Sequence, residues 1–266
     1  MIKRILSALQ KFVKNLAFEL NNYESDEVFI RRVLNEHNSL KKKQNKPMKK
    51  LLIMTGPQGS GNHLWSKILS ETPGVQGWTK LTNQYWVGHG DEPWAPIWRN
   101  PELFDKMPWT SDYQVTSISC PYLPYGGPVI DDKSPAFVPN YDEFIAAAHN
   151  NGVEVKLAII GRDMNILKYQ QTRMRQQHTV PMFLQAIDSL VKYDPVFFST
   201  ELLYLYRQTY LRQLSKLLDF PILVSDNKLE EILSINCNAR YLHYVEMNEL
   251  DELIINTPNG LDEKLL

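Results

Sequence analysis

The sequence predicts an α/β fold with a mainly parallel central sheet, preceded by a helical extension. Three observations support this prediction. From Leu51 onward, short apolar runs alternate with amphipathic stretches of helical length, the pattern of a parallel sheet covered by helices on both faces. The 266 residues, 43% of them hydrophobic, suffice for one large core. The first apolar run also leads through glycines directly into a helix.

Residues 1–49 form the predicted extension and basic linker. Apolar residues recur at helical spacing from Ile2 to Leu20, so an amphipathic helix is expected there. A second helical stretch covers residues 26–40 and leads into a lysine-rich, proline-containing segment. We expect the first helix to dock on its own domain or on a second copy, forming a homodimer. Contact with a membrane surface is the alternative.

The predicted domain covers residues 50–246, and an acidic tail follows at 247–266. Strands are predicted at residues 51–55, 114–119, 155–160, 196–199 and, as a further candidate, 222–225. Helices are predicted at residues 62–71, 141–150, 163–177, 182–192 and 201–218. Asn140 and Glu143 form a capping box for the second of these helices, and Gly152 is its C-terminal stop.

Residues 73–139 are rich in proline, glycine and aromatic residues, which predicts long functional loops. All six tryptophans lie in one 45-residue window that overlaps this segment: Trp65, Trp78, Trp86, Trp94, Trp98 and Trp109. Two interpretations are open. The indole rings line a cleft for an acceptor molecule, or they form a hydrophobic core beneath the loops.

Charge and cysteine content exclude several classes of protein. A net charge of −1 argues against a general nucleic-acid binder. Cys120 and Cys237 are far apart and belong to no Cys/His cluster, so neither a disulfide framework nor a metal site is predicted. We expect a cytoplasmic protein.

The segment that we call the glycine loop, residues 56–63, is the first motif that indicates chemistry. Its glycines have the spacing of a Walker A P-loop, in which backbone N–H groups bind phosphate at a helix N-terminus. Asn62 stands where that motif has its lysine, and His63 where it has the Mg²⁺-binding hydroxyl. The loop is therefore expected to bind an anion of lower charge, without a metal.

The second motif lies at the end of the predicted strand 155–160, where Gly161, Arg162 and Asp163 precede a helix. Ligands of open parallel sheets bind at this edge, so Arg162 is expected to reach the same cleft as the glycine loop. Its planar guanidinium suits a bound phosphate. The alternative is an Arg162–Asp163 surface pair, with Asp163 serving only as a helix cap.

Together the two motifs resemble the sulfotransferases that use 3′-phosphoadenosine 5′-phosphosulfate (PAPS). The family has a glycine loop after the first strand, and later a strand ending in arginine with a serine eight residues on. Here Gln170 occupies that later position. Residues 196–203 resemble the family's strand and Y-E-x-L turn, and residues 238–241 its C-terminal region. The resemblance implies a three-layer P-loop sandwich.

The resemblance also implies a set of site residues. PAPS or its product adenosine 3′,5′-bisphosphate would be the nucleotide, with no metal, and Arg162 would bind the 3′-phosphate. The residues expected to bind the nucleotide are Gln58, Gly59, Ser60, Gly61, Asn62, His63, Arg162 and Gln170. The family's loop lysine or arginine aligns with Gly59, so the expected substitutes for its charge are His63 and Lys133. The candidate general base is His89, with Glu92 behind it.

The expected function is transfer of a sulfuryl group from PAPS to a hydroxyl or amine of a small-molecule or carbohydrate acceptor. Two alternatives remain open. One is a small-molecule or nucleotide kinase built on the same P-loop scaffold, which requires Mg²⁺. The other is a non-catalytic binding protein that kept the sulfotransferase scaffold.

Overall fold

The computed structural model describes residues 49–77, 92–123, 136–172 and 178–235. Several predicted elements and residues lie outside these ranges. They are the N-terminal helices, most of the basic linker, residues 173–177 of a predicted helix, the acidic tail, His89, Lys133 and residues 238–241. Within the described ranges the chain folds around one parallel sheet, which confirms the predicted α/β class.

The sheet formed by the described residues has five strands, and every neighbouring pair is parallel. In chain order they are β1 (Lys49–Gly56), β2 (Val75–Gln76), β3 (Tyr113–Ser119), β4 (Val153–Gly161) and β5 (Val196–Ser199). Their order in the sheet is β2-β3-β1-β4-β5. Because β1 lies at the centre, its carboxyl end is flanked by those of β3 and β4.

Strand β1 is buried on both faces, which is why its sequence reads as a continuous apolar run rather than an alternation. Leu51, Leu52, Ile53 and Met54 are all fully buried. Leu52 and Met54 belong to the core on one face of the sheet, and Leu51 and Ile53 to the core on the other. This alternation follows from the two-residue period of a strand.

Helices cover both faces of the sheet. Their bounds in chain order are α1 (Asn62–Ser70), α2 (Ala95–Arg99), a 3₁₀ helix (Pro101–Lys106), α3 (Tyr141–Asn150), α4 (Met164–Gln170), α5 (Val180–Val191), α6 (Thr200–Leu218) and α7 (Asp226–Ser234). The core of the first face contains side chains of α1, α6 and α7. The core of the second face contains side chains of α2, the 3₁₀ helix, α3 and α5.

The four tryptophans that the structure describes belong to these two cores. On the first face, the ring of Trp65 lies 4.5 Å from that of Phe198. On the second face, Trp94 and Trp98 are fully buried, and Trp109 packs partly buried against the same cluster. The core interpretation is therefore correct for these four, while Trp78 and Trp86 lie outside the described residues.

The predicted helices at 62–71, 141–150, 182–192 and 201–218 are confirmed, with ends that differ by at most two residues. The Asn140 side chain accepts a hydrogen bond from the N–H of Glu143, as the capping box requires. Gly152 follows α3 with φ of 70°, the left-handed conformation of a helix stop. None of the helices described here has the length and apolarity that crossing a membrane requires.

One predicted strand is wrong. Residues 222–225 run without regular structure after α6, although Ile222 and Val224 are buried. Side chains, rather than a neighbouring strand, form hydrogen bonds with the backbone of this segment. The N–H of Leu223 donates to Thr72 Oγ1, and the carbonyl of Val224 accepts from the Gln208 side chain.

Some short elements of the fold were not predicted from the sequence. The segment 73–139, predicted as loops apart from one strand, contains β2, α2 and the 3₁₀ helix in its described part. These elements are too short for a periodic pattern to emerge from the sequence. Helix α7 was missed as well, although Ser225 caps it by accepting the N–H of Lys228.

Candidate functional site

The carboxyl ends of β1, β4 and β5 lie side by side at one edge of the sheet. After β1 the chain continues to β2, on one side of the strand order, and after β4 it continues to β5, on the other. Since β1 and β4 are neighbours, their outgoing connections diverge, and open parallel sheets have a crevice at such a switch point. Ligands of open parallel sheets bind in such a crevice.

The glycine loop leaves β1 at this crevice and requires its glycines. A Cβ on Gly56 would lie only 2.6 Å from the carbonyl oxygen of Ile160 in β4. Gly59 and Gly61 have φ of 89° and 118°, a region that residues with a side chain rarely adopt. The loop is therefore in close contact with β4, and the backbone conformations of Gly59 and Gly61 would be strained in residues with a side chain.

Helix α1 begins directly after Gly61, and this N-cap residue has no side chain with which to cap the helix. The first N–H groups of a helix have no acceptor within the helix and carry a partial positive charge. This end of α1 is therefore suited to an anion, although that property alone is common to many helices.

Two side chains from other elements fix the orientation of the loop peptides. The carbonyl of Gln58 accepts from Gln171 Nε2 at 2.7 Å, and that of Ser60 accepts from Thr200 Oγ1 at 3.2 Å. In a trans peptide the C=O and the following N–H point in opposite directions. The N–H groups of Gly59 and Gly61 therefore point away from these side chains.

The structure brings Arg162 to the glycine loop. Its Nη1 atom donates to the carbonyl of Gly59 at 3.0 Å and to Gln170 Oε1 at 2.9 Å. The two sequence motifs, more than 100 residues apart, thus meet at one place. Gln170, eight residues after the arginine, contacts it directly.

Asp163 acts as a helix cap, as one interpretation of the sequence held. Its Oδ1 accepts from the N–H groups of Asn165 and Ile166 at the start of α4. Its own N–H donates to Glu201 Oε1 at 2.7 Å, while Glu201 Oε2 accepts from the Ser199 hydroxyl. These bonds fix the corner between β4 and α4, from which Arg162 extends.

Two buried polar side chains, Gln171 and Thr179, bond to the glycine loop and were not predicted from the sequence. Gln171 and Thr179 are both fully buried and bond to each other twice, through the Gln171 amide group. Thr179 Oγ1 also accepts from the N–H of Gln58 at 3.1 Å. The backbone of Gln58 is thereby engaged within the protein. No sequence motif marks these two residues. The one indication in the sequence is that Gln171 follows Gln170, a predicted site residue.

Some polar groups of the other predicted loop residues are already bonded within the protein. The N–H of Ser60 donates to the carbonyl of Pro57 at 3.1 Å. The side chain of Asn62 reaches across to β3, where its Nδ2 donates to Ser119 Oγ at 3.2 Å. His63 lies half-buried in the first turn of α1. Asn62, at the position where a Walker A loop has its lysine, thus connects the glycine loop to β3.

Glu92 is buried against β3, with 6% of its surface exposed. Its Oε1 accepts from the N–H of Ser117 at 3.0 Å and from Thr116 Oγ1 at 3.2 Å. Burial raises its pKa from 4.5 to about 8, although both hydrogen bonds lower it. Its predicted partner His89 lies outside the described residues.

No protein-family model, curated protein or solved structure matches this chain. Its function therefore has to be inferred from the geometry of the crevice. That geometry combines a helix N-terminus, a glycine-rich turn and a guanidinium in contact with the turn. Among the described residues, no group of three His, Cys, Asp or Glu side chains has the arrangement of a metal site.

Proposed function

We propose that this chain is a P-loop, three-layer protein of the sulfotransferase type that binds PAPS or adenosine 3′,5′-bisphosphate in the crevice between β1 and β4. The contact between Arg162 Nη1 and the carbonyl of Gly59 carries this proposal. This contact brings a guanidinium, a cationic and fork-shaped group that binds phosphate well, next to a loop of backbone amides. An adenosine bisphosphate carries two anionic groups that the guanidinium and the loop amides can bind.

The composition of the loop favours a phosphosulfate over a triphosphate. A Walker loop uses its lysine and its hydroxyl to bind the terminal phosphates and Mg²⁺. Here those positions are Asn62, which bonds to Ser119, and His63. Backbone amides and a helix dipole suffice for the single charges of a phosphosulfate.

The reaction follows from the ligand. The bond between sulfur and the bridging oxygen of PAPS breaks, and its electron pair remains on the 5′-phosphate. Sulfur forms a new bond to the acceptor hydroxyl or amine, and the acceptor proton passes to a base. Loop amides would stabilise the charge that develops on the departing phosphate.

We assign three further residues to this reaction as hypotheses. His63 would donate to the sulfonate; it is the second residue of α1, directly after the loop amides. His89 is the candidate base and Lys133 a candidate second cation. The contacts of Glu92 with β3 favour a structural role for that carboxyl group.

A non-catalytic nucleotide-binding protein is the second candidate function. It is favoured by Gly59, which stands where the family has its loop cation. Such a protein would retain nucleotide affinity without transferring sulfate. A P-loop kinase, the remaining alternative, would instead require ATP with Mg²⁺.

Isothermal titration tests the proposal. We expect adenosine 3′,5′-bisphosphate to bind the full chain without metal, and ATP with Mg²⁺ to bind at least about tenfold more weakly. Exclusive binding of ATP with Mg²⁺ would contradict the proposal and favour the kinase.

Transfer of labelled sulfate from PAPS to a panel of hydroxyl and amine acceptors then separates the enzyme from the non-catalytic protein. His63→Ala and Lys133→Ala should lower turnover while bisphosphate binding persists. Tight bisphosphate binding with no turnover on any acceptor would favour the non-catalytic protein.

A further inference from the structure

Helix α6 is interrupted at one residue. Arg207 has φ of 47° and ψ of −123° inside the helix, so that two helical segments, residues 200–206 and 208–218, meet there. A regular helix has negative φ throughout, and only glycine adopts positive φ without steric cost. Helix kinks usually occur at proline or glycine, but neither Arg207 nor its neighbours Tyr206 and Gln208 are of these types. Arg207 is therefore held in a strained conformation.

The first segment of α6, residues 200–206, is attached to the candidate site. Thr200 Oγ1 donates to the carbonyl of Ser60 in the glycine loop. Glu201 Oε1 accepts from the N–H of Asp163, at the corner between β4 and α4. Any movement of the first segment relative to the sheet would therefore change the contacts of the glycine loop and of this corner.

The second segment, residues 208–218, is fixed in the core of the first sheet face. Its fully buried members in that core are Tyr210, Leu211, Leu214 and Leu218. The side chain of Gln208 also donates to the carbonyl of Val224, shortly before α7. Arg207 thus joins a segment that contacts the site to a segment that packing holds in place.

The side chain of Arg207 does not account for its backbone conformation. Its Nε atom lies 3.4 Å from Glu230 Oε1 of α7, with 39% and 60% of the two side chains exposed, and its guanidinium lies 5.7 Å from the centre of the Tyr204 ring. Such contacts at exposed sites contribute little to stability. Its Nη1 atom is buried and has no hydrogen-bond partner among the described residues. The strain has therefore to be offset by contacts of the two segments, among them the bond from Thr200 to the glycine loop.

We propose that Arg207 is a hinge that couples α6 to the glycine loop. In the strained conformation the first segment contacts the loop, and Thr200 orients the peptide that carries the Gly61 N–H. In a relaxed conformation, with Arg207 in a regular helix, the first segment points in another direction and this bond breaks. A ligand of the loop amides favours the strained conformation, because it binds the oriented peptide more tightly. The inference rests on the proposed function for its ligand, adenosine 3′,5′-bisphosphate.

Substitutions at position 207 separate the two conformations. Arg207→Gly and Arg207→Ala both remove the contact with Glu230, but only glycine tolerates the strained backbone, whereas alanine favours a regular helix. Arg207→Asn is a third variant, since asparagine adopts positive φ more readily than alanine does. Leu205→Gly and Leu205→Ala are the matched controls, at a regular position of the first segment whose side chain is 70% exposed. Urea midpoints and bisphosphate affinities are measured for the full chain.

We expect Arg207→Gly to have a higher urea midpoint than Arg207→Ala, with Arg207→Asn between them. At position 205 the order should be reversed, because glycine destabilises an ordinary helix. By isothermal titration, Arg207→Gly should bind the bisphosphate at least about threefold more tightly than Arg207→Ala, since a larger fraction of this variant is competent to bind. The two Leu205 variants should have bisphosphate affinities within about twofold of each other, because both conformations contain that residue in a helix.

A higher urea midpoint for alanine than for glycine at position 207 would indicate a continuous helix and overturn the inference. The expected order of midpoints with equal bisphosphate affinities would overturn it as well, because the strain would then be independent of the glycine loop. Both results leave the proposed function intact. Failure of the unaltered protein to bind the bisphosphate would instead refute the proposed function, and the inference with it.

Discussion

The glycine loop and the aromatic core of the second sheet face are both conspicuous in the sequence, but they are built in opposite ways. We use "aromatic core" for Trp94, Trp98, Phe104 and Phe144. Its members contact one another through their rings, and Trp98 stacks on Phe144 with 3.7 Å between centroids. The loop is held by hydrogen bonds to its backbone from side chains of other elements.

This difference separates residues that complete a core from residues that present groups to a ligand. The buried indole of Trp98 has almost no exposed surface, and its polar atom is bonded inside the core, where Nε1 donates to Thr116 Oγ1 at 3.0 Å. In the loop, the carbonyl groups of Gln58 and Ser60 point to side chains of the protein, so that the N–H groups of Gly59 and Gly61 point the opposite way. Stability should therefore depend mainly on the aromatic core, and nucleotide affinity on the loop.

The largest expected effect is on stability, from Trp98→Ala. Trp98 is 1% exposed, so its truncation leaves a cavity and should lower the free energy of unfolding by about 3–5 kcal/mol. Urea denaturation measures this loss. Leu205→Ala, at a side chain that is 70% exposed, is the control and should change stability by less than about 0.5 kcal/mol. Similar losses in the two variants would contradict the assignment of Trp98 to a packed core.

The buried carboxyl of Glu92 should make stability depend on pH. Its pKa is about 8 in the folded protein, against an ordinary value of 4.5. The folded state therefore keeps a proton that the unfolded state loses. The free energy of unfolding should fall as pH rises from about 5 to about 8, with a slope of at most about 1.4 kcal/mol per pH unit.

Glu92→Gln should remove most of this slope, because glutamine keeps the shape of the side chain and an oxygen for Ser117 but does not titrate. Urea midpoints at pH 5, 6.5 and 8 provide the measurement. An equal slope in the variant would show that Glu92 is ionised in the folded protein, as on the surface.

A pair of glycine substitutions sharpens the contrast between loop and scaffold. Gly61→Ala places a Cβ 3.2 Å from Thr200 Oγ1 at φ of 118°, whereas Gly74→Ala meets nothing within 4 Å at φ of 78°. Both should lose about 1 kcal/mol of stability through the left-handed backbone. Only Gly61→Ala should also weaken bisphosphate binding, by about tenfold. Equal bisphosphate affinities in the two variants, measured by isothermal titration, would mean that the glycine loop is not part of the binding site.

The smallest expected effect comes from Thr200, whose hydroxyl donates to the carbonyl of Ser60. Thr200→Val removes this bond and should cost about 1 kcal/mol of stability and about threefold in nucleotide affinity. The matched control is Thr172→Val, which removes a hydroxyl bonded to the Lys168 carbonyl within its own helical segment. An affinity loss of the same size in the control would mean that Thr200 does not orient the loop peptide.

The sequence predicted those parts of the fold that have a strong period or a sharp boundary. Strand β1 is a continuous apolar run ended by glycine, and α3 has both of its caps in the sequence. Strand β2 has only two residues, and residues 222–225 are apolar without pairing as a strand. Periodicity does not distinguish a buried coil from a short strand.

The site was predictable only where backbone geometry imposes a residue type. Gly59 and Gly61 have backbone conformations that favour glycine, so their residue type indicates the turn, and Arg162 follows the end of a strand. Gln171, Thr179 and Thr200 act through side-chain bonds to loop carbonyls or to one another, and many sequences meet such a need. Their roles become visible only when the folded elements are brought together.

Amide chemical shifts during a titration with adenosine 3′,5′-bisphosphate test the central claim most directly: that the glycine loop and Arg162 form one anion site. We expect the N–H signals of Gly59, Gly61 and His63 and the Nε–H signal of Arg162 to shift together with one dissociation constant. The indole N–H of Trp98 should not move. Shifts that leave the loop amides unchanged, or that appear only in the aromatic core, would contradict the claim.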